Sequence, residues 1–469
     1  RRIHDNFALD HARSLAAKFK RPVLVFEPLR HGYRHASDRL HSFVLDGMVA
    51  NASACQALGL RYYPFVERAD VPGKGLLAAL AEHACAVVTD DFPDFFLPRM
   101  IHAASAQVRV KMDMVDSNGL LPLRAGGRLF GTAASFRRHM QRAMPDLLST
   151  QPTRSAKGVG RAVLPAEITR RWPAVTSREL TSGRAQLLAG LPIDHRAGPV
   201  ATRGGAAVAE KRLAEFLAKQ LASYAEDRNH PDRDGTSGLS PYLHFGHISA
   251  HRVVQEILAS RGFDPTRLGA PKGQREGFWG LDTGAEAVLD QLLVWRELAF
   301  NFAHYAPLAG KQPGRFEALP EWSRKSLVAH AADPRPYVYT HEQFEAAQTD
   351  DPLWNAAQRQ LVHEGTIHNA LRMLWGKKIL EWSPDPVSAH QTMLELNNRW
   401  ALDGRDPNSN AGIGWILGRY DRPWGPRRPI FGLIRFMSTA STSRKRKVRE
   451  YLQRYGPQVD QLNFTDYAV

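Results

Sequence analysis

Three stretches hold side chains whose types and spacing could do chemistry. In residues 234–246, Thr236, Ser237 and Ser240 stand among glycines just ahead of a helical pattern. Backbone N–H and hydroxyl donors so placed can cradle a diphosphate; the plainer use of such a loop is to cap its helix. Residues 397–415 crowd Asn397, Asn398, Arg399, Asp403, Arg405, Asp406 and Asn408 into a loop between helical segments, with a Gly-rich apolar helix after it. Donors and acceptors held in such a loop suit the edge of a polar heteroaromatic ring; the alternative is a capped turn with Asp and Arg paired internally. Trp375 and Trp382 stand seven apart on one predicted helix, so they share a face about 10.5 Å apart along the axis. Trp354 opens the preceding helix. Such a stripe is either core packing or a path of oxidisable rings from a cofactor to the surface.

Other chemistries are excluded. The chain has no Gly-x-Gly-x-x-Gly, no P-loop and no Gly-x-Ser-x-Gly elbow. His363 and His368 are five apart, whereas a helical zinc site needs four to put both on one face. Two cysteines, Cys55 and Cys85, make neither a disulfide framework nor a four-ligand zinc site and point to a reducing compartment. No metal is expected. The charge is informative: 62 Lys+Arg against 47 Asp+Glu give +15, a surplus that attracts polyanions, nucleic acid foremost. It gathers in Arg444-Lys445-Arg446-Lys447-Val448-Arg449 and in Arg419, Arg422, Arg427, Arg428 and Arg435, where the arginines alternate with Tyr420, Trp424, Phe431 and Phe436. Cations for phosphates beside flat rings that can stack on bases make a nucleic-acid signature.

The elements that must position these residues follow from length and pattern. At roughly 100–200 residues per domain, 469 residues call for two or three domains. With 43% hydrophobic and 23% charged residues the balance is globular. No apolar run reaches the roughly 18 residues of a membrane span, residues 76–89 being broken by Glu82 and His83. No signal-peptide core follows Arg1, so nothing marks the chain for export and a cytoplasmic protein is expected. Residues 22–26, 61–66, 86–89 and 108–115 read as buried strands, with helical stretches at 40–58 and 74–84 between them. That alternation predicts an α/β domain, residues 1–149, with a doubly wound parallel sheet. The chain opens on a helical segment, residues 6–19; a doubly wound sheet starts on a strand, so a first strand is expected to be lacking. Residues 150–205, with scattered Pro152, Pro165, Pro173, Pro192 and Pro199, are expected to form an inter-domain connector. Residues 206–469 read as an all-helical domain, with helices at 208–224, 251–260, 285–302, 354–363, 366–382 and 389–399.

Taken together, residues 239–249 (LSPYLHFGHIS), 292–302 (LLVWRELAFNF), 351–358 (DPLWNAAQ), 373–382 (MLWGKKILEW), 397–408 (NNRWALDGRDPN) and 421–438, with DRPWG and IRFMS, resemble class II cyclobutane pyrimidine dimer photolyases of the photolyase/cryptochrome family. The resemblance is dense over residues 206–440 and thinner before. It implies an antenna-type α/β N-terminal domain and a helical domain holding non-covalent FAD, reduced in the active form. Tyr224, Thr236, Ser237, Leu239, Ser240, Arg372, Asn397, Asp403 and Asp406 match cofactor-binding positions, with Asn397 at the flavin N5. Trp295 and Trp415 match the indoles that hold a flipped-out dimer, with Met373 beside it. Trp382, Trp375 and Trp354 match an electron-transfer chain that keeps the flavin reduced. Arg422 and Arg435 match arginines that fill the gap left in the duplex, and Trp424 a neighbouring DNA-binding residue. The implied activity is light-driven repair, in which an excited reduced flavin donates an electron to a dimer taken out of the stack. The partner is double-stranded DNA with pyrimidine dimers, bound by a monomer without a membrane.

Two positions depart from that pattern. Where the family carries a glutamate on the lesion's thymine, this chain has Gln291, which offers a donor and an acceptor but no carboxyl proton. Residues 115–123 (VDSNGLLPL) replace a stretch with histidine and tryptophan near the end of the sheet, which leaves the antenna chromophore unidentified. The competing readings are a cryptochrome-like FAD photoreceptor without repair activity and another flavin-dependent enzyme on the same fold.

Overall fold

The computed structural model describes residues 1–154 and 160–457. The chain divides into two compact units. The first comprises Arg1–Ala222, Ser237–Gly310 and Arg405–Asn408; the second comprises Ser223–Thr236, Lys311–Gly404 and the described residues from Ser409 onward.

The first unit begins with the helix Phe7–Phe19. Asn6 caps it by accepting from the N–H groups of Ala8 and Leu9, and Lys20 ends it in a left-handed conformation, φ 51°. Strand β1, Leu24–Leu29, pairs in parallel with β2, Arg61–Val66, from Leu24 opposite Arg61 to Leu29 opposite Val66. Strand β3, Ala86–Asp90, pairs in parallel with β4, Lys111–Val115. The helix Asp38–Ala57 crosses from β1 to β2, and Leu97–Ser105 from β3 to β4. The strands thus stand where the β-rich runs predict them, but the single doubly wound sheet is corrected to two two-stranded parallel sheets, with no ladder between β1 and β3 among the described residues.

A ladder requires a neighbouring backbone about 4.8 Å away; here side chains from the first two residues tie the sheets instead. Arg1 donates to the Glu27 carboxylate at 2.9 Å and to the Pro28 carbonyl at 3.1 Å. Arg2 donates to the Ser117 carbonyl, just past β4, at 2.9 Å. Glu27 is buried in β1 and also accepts from Tyr62 Oη at 2.6 Å and Asn51 Nδ2 at 2.8 Å. Burial works to raise its pKa, but the charge of Arg1 and these hydrogen bonds outweigh burial and hold it below the ordinary value.

Beneath β1 and β2, Leu29, Val44, Leu45, Met48 and Val66 pack with Val175, Leu180, Leu187, Leu188 and Leu191. The stretch expected as a connector therefore supplies core residues, from short helices at Ala166–Arg171, Ser177–Leu180 and Arg184–Ala189. The helix expected at 285–302 is interrupted. Thr283–Leu289 is α-helical, Asp290–Arg296 is a π-helix, and Glu297–Leu308 is α-helical again. The junction of the last two holds residues 115–123 in place: Glu297 accepts from Leu120 N at 2.8 Å and Leu121 N at 2.9 Å, and Arg296, the last residue of the π-helix, donates to the Asn118 carbonyl at 2.9 Å.

The second unit is helical, as the pattern predicts. Its main helices are Pro352–Glu364, Asn369–Trp382 and Pro386–Trp400, and its chain from Ser409 continues the helix Pro407–Ile416. Asp351 caps the first by accepting from Leu353 N and Trp354 N, and Asp385 the third by accepting from Val387 N and Ser388 N. Among the described residues no helix is long and apolar enough to cross a membrane, and no group of three His, Cys, Asp or Glu side chains could hold a metal ion.

The Glu297 clamp requires a bare backbone at Gly119, where a Cβ would stand 2.7 Å from the Glu297 carboxylate. Gly119→Ala should displace that carboxylate from the two N–H groups it satisfies, lowering stability by about 1–3 kcal/mol. A shift of the denaturant midpoint at unchanged slope is the expected readout.

Candidate functional site

In the second unit the structure brings Arg372, Asn397 and Asp403 together. Arg372 projects from Asn369–Trp382, and Asn397 from the last turn of Pro386–Trp400. Arg372 Nη1 donates to Asn397 Oδ1 at 3.0 Å, while Asn397 Nδ2 donates to Ser409 Oγ at 2.7 Å. Arg372 Nη2 lies 3.6 Å from Asp403 Oδ1, an ion-pair contact too long for a hydrogen bond. That Asp403 oxygen is buried and accepts no hydrogen bond. A buried carboxylate oxygen without a donor is costly, and beside an arginine and an amide it fits the N–H edge of a polar heteroaromatic ring. The loop thus leaves one carboxylate oxygen without a hydrogen bond, and the residues present fit the flavin that the sequence implies.

Asp406 belongs to the first unit. It bonds His244 Nδ1 at 3.0 Å, and its other oxygen accepts from Asn408 N at 2.8 Å. Burial works to raise its pKa, yet the His244 bond, with the charges of His244 and Arg296 nearby, holds it lowered. Of the expected phosphate residues, Leu239 is buried and Ser240 exposed, opening the helix Ser240–Phe245, which no side chain caps. Ser237 accepts through its carbonyl from Arg212 Nε at 2.8 Å. Gly238, at φ 64°, lies so close to Arg212 that a Cβ would meet Nε at 2.9 Å. In the second unit Thr236 is half-buried, and Tyr224 is buried with the Arg228 guanidinium 5.2 Å from its ring centre.

The three tryptophans are all buried in the second unit. Trp354 Nε1 donates to the Trp375 carbonyl at 2.9 Å, and Trp375 Nε1 donates to Gln358 Oε1 at 2.9 Å. Trp354 and Trp382 meet edge to face, centroids 6.0 Å apart. Tyr339, which the sequence did not single out, meets the far ring at 5.5 Å. The three indoles fill the interior, and the rings of Trp354, Trp382 and Tyr339 touch in sequence, while Trp375 joins Trp354 through its backbone carbonyl.

Gln291 and Trp295 lie on the π-helix of the first unit; Met373 and Trp415 lie in the second. The Gln291 carboxamide is half-buried and makes no hydrogen bond to a described residue. Trp295 Nε1 donates to Asp290 Oδ2 at 3.2 Å, and Arg137 grips Asp290 with bonds of 2.6 and 3.2 Å.

The arginine cluster is organised around Asp421. Arg435 donates to both Asp421 oxygens, at 3.0 and 3.1 Å, and Trp424 Nε1 donates to Oδ1 at 3.0 Å. The guanidinium carbons of Arg422 and Arg435 lie 4.7 and 4.1 Å from the Trp424 ring centre. Cations resting on an indole face gain from its quadrupole. The basic run after it is not uniform: Arg444, Lys445, Lys447 and Arg449 are exposed, whereas Arg446 turns in to the Asn229 carbonyl.

Sequence reasoning also passed over Lys377. It is 1% exposed and donates to the carbonyl of Ile416, one residue after Trp415. Gly376 beside it allows the approach, since a Cβ there would collide with Ile416 Cδ1. The adjacent Gly-Lys-Lys gave no sign of which lysine is buried.

In three dimensions the structure is similar to that of a bacterial class III photolyase from Agrobacterium tumefaciens. The TM-score is 0.62 at 18% identity, covering 97% of this chain and 84% of that one. The fold is therefore that of a photolyase. No protein-family model matches. In sequence the chain is 32% identical over 458 residues to the deoxyribodipyrimidine photo-lyase of Methanothermobacter thermautotrophicus, covering 97% of this chain and 92% of the relative. It is 34% identical over 465 residues to that of Oryza sativa subsp. japonica, covering 96% and 85%, and 31% over 469 residues to that of Potorous tridactylus, covering 97% and 80%. The chain belongs to the deoxyribodipyrimidine photo-lyase family, a family of enzymes.

Burial pulls the Lys377 amine down from its ordinary 10.5 to about 7, against the raising effect of Asp421. The unfolded chain therefore binds more protons at this residue between those values, and stability from it rises with pH. Between pH 7 and 9 the gain is on the order of 2 kcal/mol. Urea titrations at both pH values should show that gain in the parent and its loss in Lys377→Met.

Proposed function

We propose that this protein is a class II photolyase that splits cyclobutane pyrimidine dimers in double-stranded DNA, with non-covalent FAD in its helical part. The observation that carries the reading is the cluster of Arg372, Asn397 and Asp403, with its buried unbonded carboxylate oxygen, in a chain of this family. When bound and reduced, FAD supplies on light excitation the electron that opens the cyclobutane ring and receives it back.

The remaining roles belong to the chain. Asn397 would face N5, Arg372 would contact the flavin, and Asp403 would accept from the ring edge. Tyr224, Thr236, Ser237, Leu239, Ser240 and Asp406 hold the rest of the cofactor. Trp295, Trp415 and Met373 hold the lesion, which costs less to extrude than a sound base pair because it pairs badly. Gln291, half-buried with its amide unspent, orients the thymine carbonyl. Trp354, Trp375 and Trp382 pass electrons toward the cofactor, and their burial keeps that path dry. Arg422 and Arg435 enter the duplex where the lesion leaves, Trp424 binds DNA beside them, and the exposed members of the 444–449 run contact phosphates.

Purified protein should carry FAD and, once photoreduced, remove dimers from irradiated DNA under near-UV light; protein that cannot be loaded with FAD would refute the reading. Protein that loads and photoreduces but splits no dimers would be a light sensor instead. Gln291→Glu should raise the quantum yield of splitting with little change in dark affinity, because a carboxylic acid can share a proton with developing charge. A full oriented donor there is commonly worth about 3 kcal/mol, and an amide already supplies part of it.

DNA affinity should fall steeply with salt. Arg422→Ala and Arg435→Ala should weaken binding to a dimer-containing duplex more than to the undamaged one. Equal losses on both would reduce these arginines to general electrostatics.

A further inference from the structure

Trp295 sits five residues after Asp290 and is hydrogen-bonded to it. On an α-helix, residues five apart point about 140° away from each other around the axis and cannot meet. The π-helix Asp290–Arg296 closes its hydrogen bonds over five residues, which brings Asp290 and Trp295 onto one side. The irregular segment thus has a specific product, an indole N–H aimed at a carboxylate. That carboxylate is itself fixed. Arg137, on the separate helix Ala133–Ser149, donates from Nε to Oδ1 at 2.6 Å and from Nη2 to Oδ2 at 3.2 Å. Both charged side chains are largely buried, 5% and 11% exposed, in a cleft that Met140, Met144, Leu293 and Val294 help to line. A bidentate pair in such surroundings leaves the carboxylate little freedom to rotate.

We propose that Asp290, anchored by Arg137, is a positioning residue that sets the Trp295 indole and thereby the preference for lesion over undamaged DNA. The proposal rests on the reading of Trp295 as a lesion-holding ring. The ring face stacks on the lesion while the N–H edge is occupied by Asp290, so the plane is fixed before DNA arrives. The ordering cost of that side chain then falls in folding rather than in binding.

Removing one charge alone would strand the other in the interior, so the test uses Arg137→Met/Asp290→Leu, which removes both and keeps the volume apolar. FAD-loaded full chain is titrated in the dark with two labelled duplexes that differ only by one cyclobutane dimer. The double variant should lose on the order of tenfold in affinity for the lesion duplex, with unchanged affinity for the other duplex and an unchanged melting temperature. Asp290→Asn, which retains an oxygen acceptor for the indole, should lose less. The indole N–H resonance of Trp295 should move in the double variant, which a purely packing role would not require. Unaltered lesion affinity in the double variant, or equal losses on both duplexes, would overturn the proposal. Failure of the underlying reading shows elsewhere: a parent that does not distinguish the duplexes, or Trp295→Ala that binds both as the parent does, would overturn the role of Trp295 and the proposal with it.

Discussion

Helix Asn369–Trp382 can lie against the end of helix Pro407–Ile416 only because residue 376 has no side chain. Several contacts described in the second unit stand on or beside that close approach. It puts Lys377 within reach of the Ile416 carbonyl, an acceptor that a helix end otherwise leaves open. It fixes the backbone beside Trp415. The same Asn369–Trp382 helix carries Arg372, which turns to Asn397, and Trp375, which offers its carbonyl to Trp354. A lysine this deeply buried is a poor choice for stability alone, because burial depresses its pKa so far. Its merit is directional: an amine that accepts one geometry holds two helices in one register.

Much of this was legible in the sequence, for reasons that differ by element. The strands stood out because β-rich runs such as residues 61–66 are short and bounded by turn residues. The long helices of the second unit stood out by composition and spacing, and the seven-residue interval between Trp375 and Trp382 translated directly into one face of one helix. Asn397 and Asp403 stand out as polar types crowded into a loop, whereas Arg372, on a helix, is reached only through the family resemblance; the three converge.

What escaped was of three physical kinds. The π-helix differs from an α-helix by one residue per turn over seven residues, too little to disturb an apolar pattern such as LLVW, so Asp290 went unnoticed. The split of the parallel sheet depends on which strand edges find a partner, a non-local matter that no run of residues encodes. The core role of residues 160–205 was masked by prolines and glycines, which mark turns between its short helices as readily as they mark a linker.

The arginine cluster carries its own counterion, and this changes what a phosphate would meet there. Arg435 is held by both oxygens of Asp421, which also takes the Trp424 N–H. An incoming anion cannot simply add to that guanidinium; it must take a carboxylate's place. Contact with Arg435 is then a ligand exchange in which one internal ion pair opens as another closes. Its net free energy is a small difference, far below the value of a bare cation meeting a bare phosphate. Such a residue resists indiscriminate attraction to every stretch of polyanion and responds only where the geometry of the arriving group repays the release of Asp421.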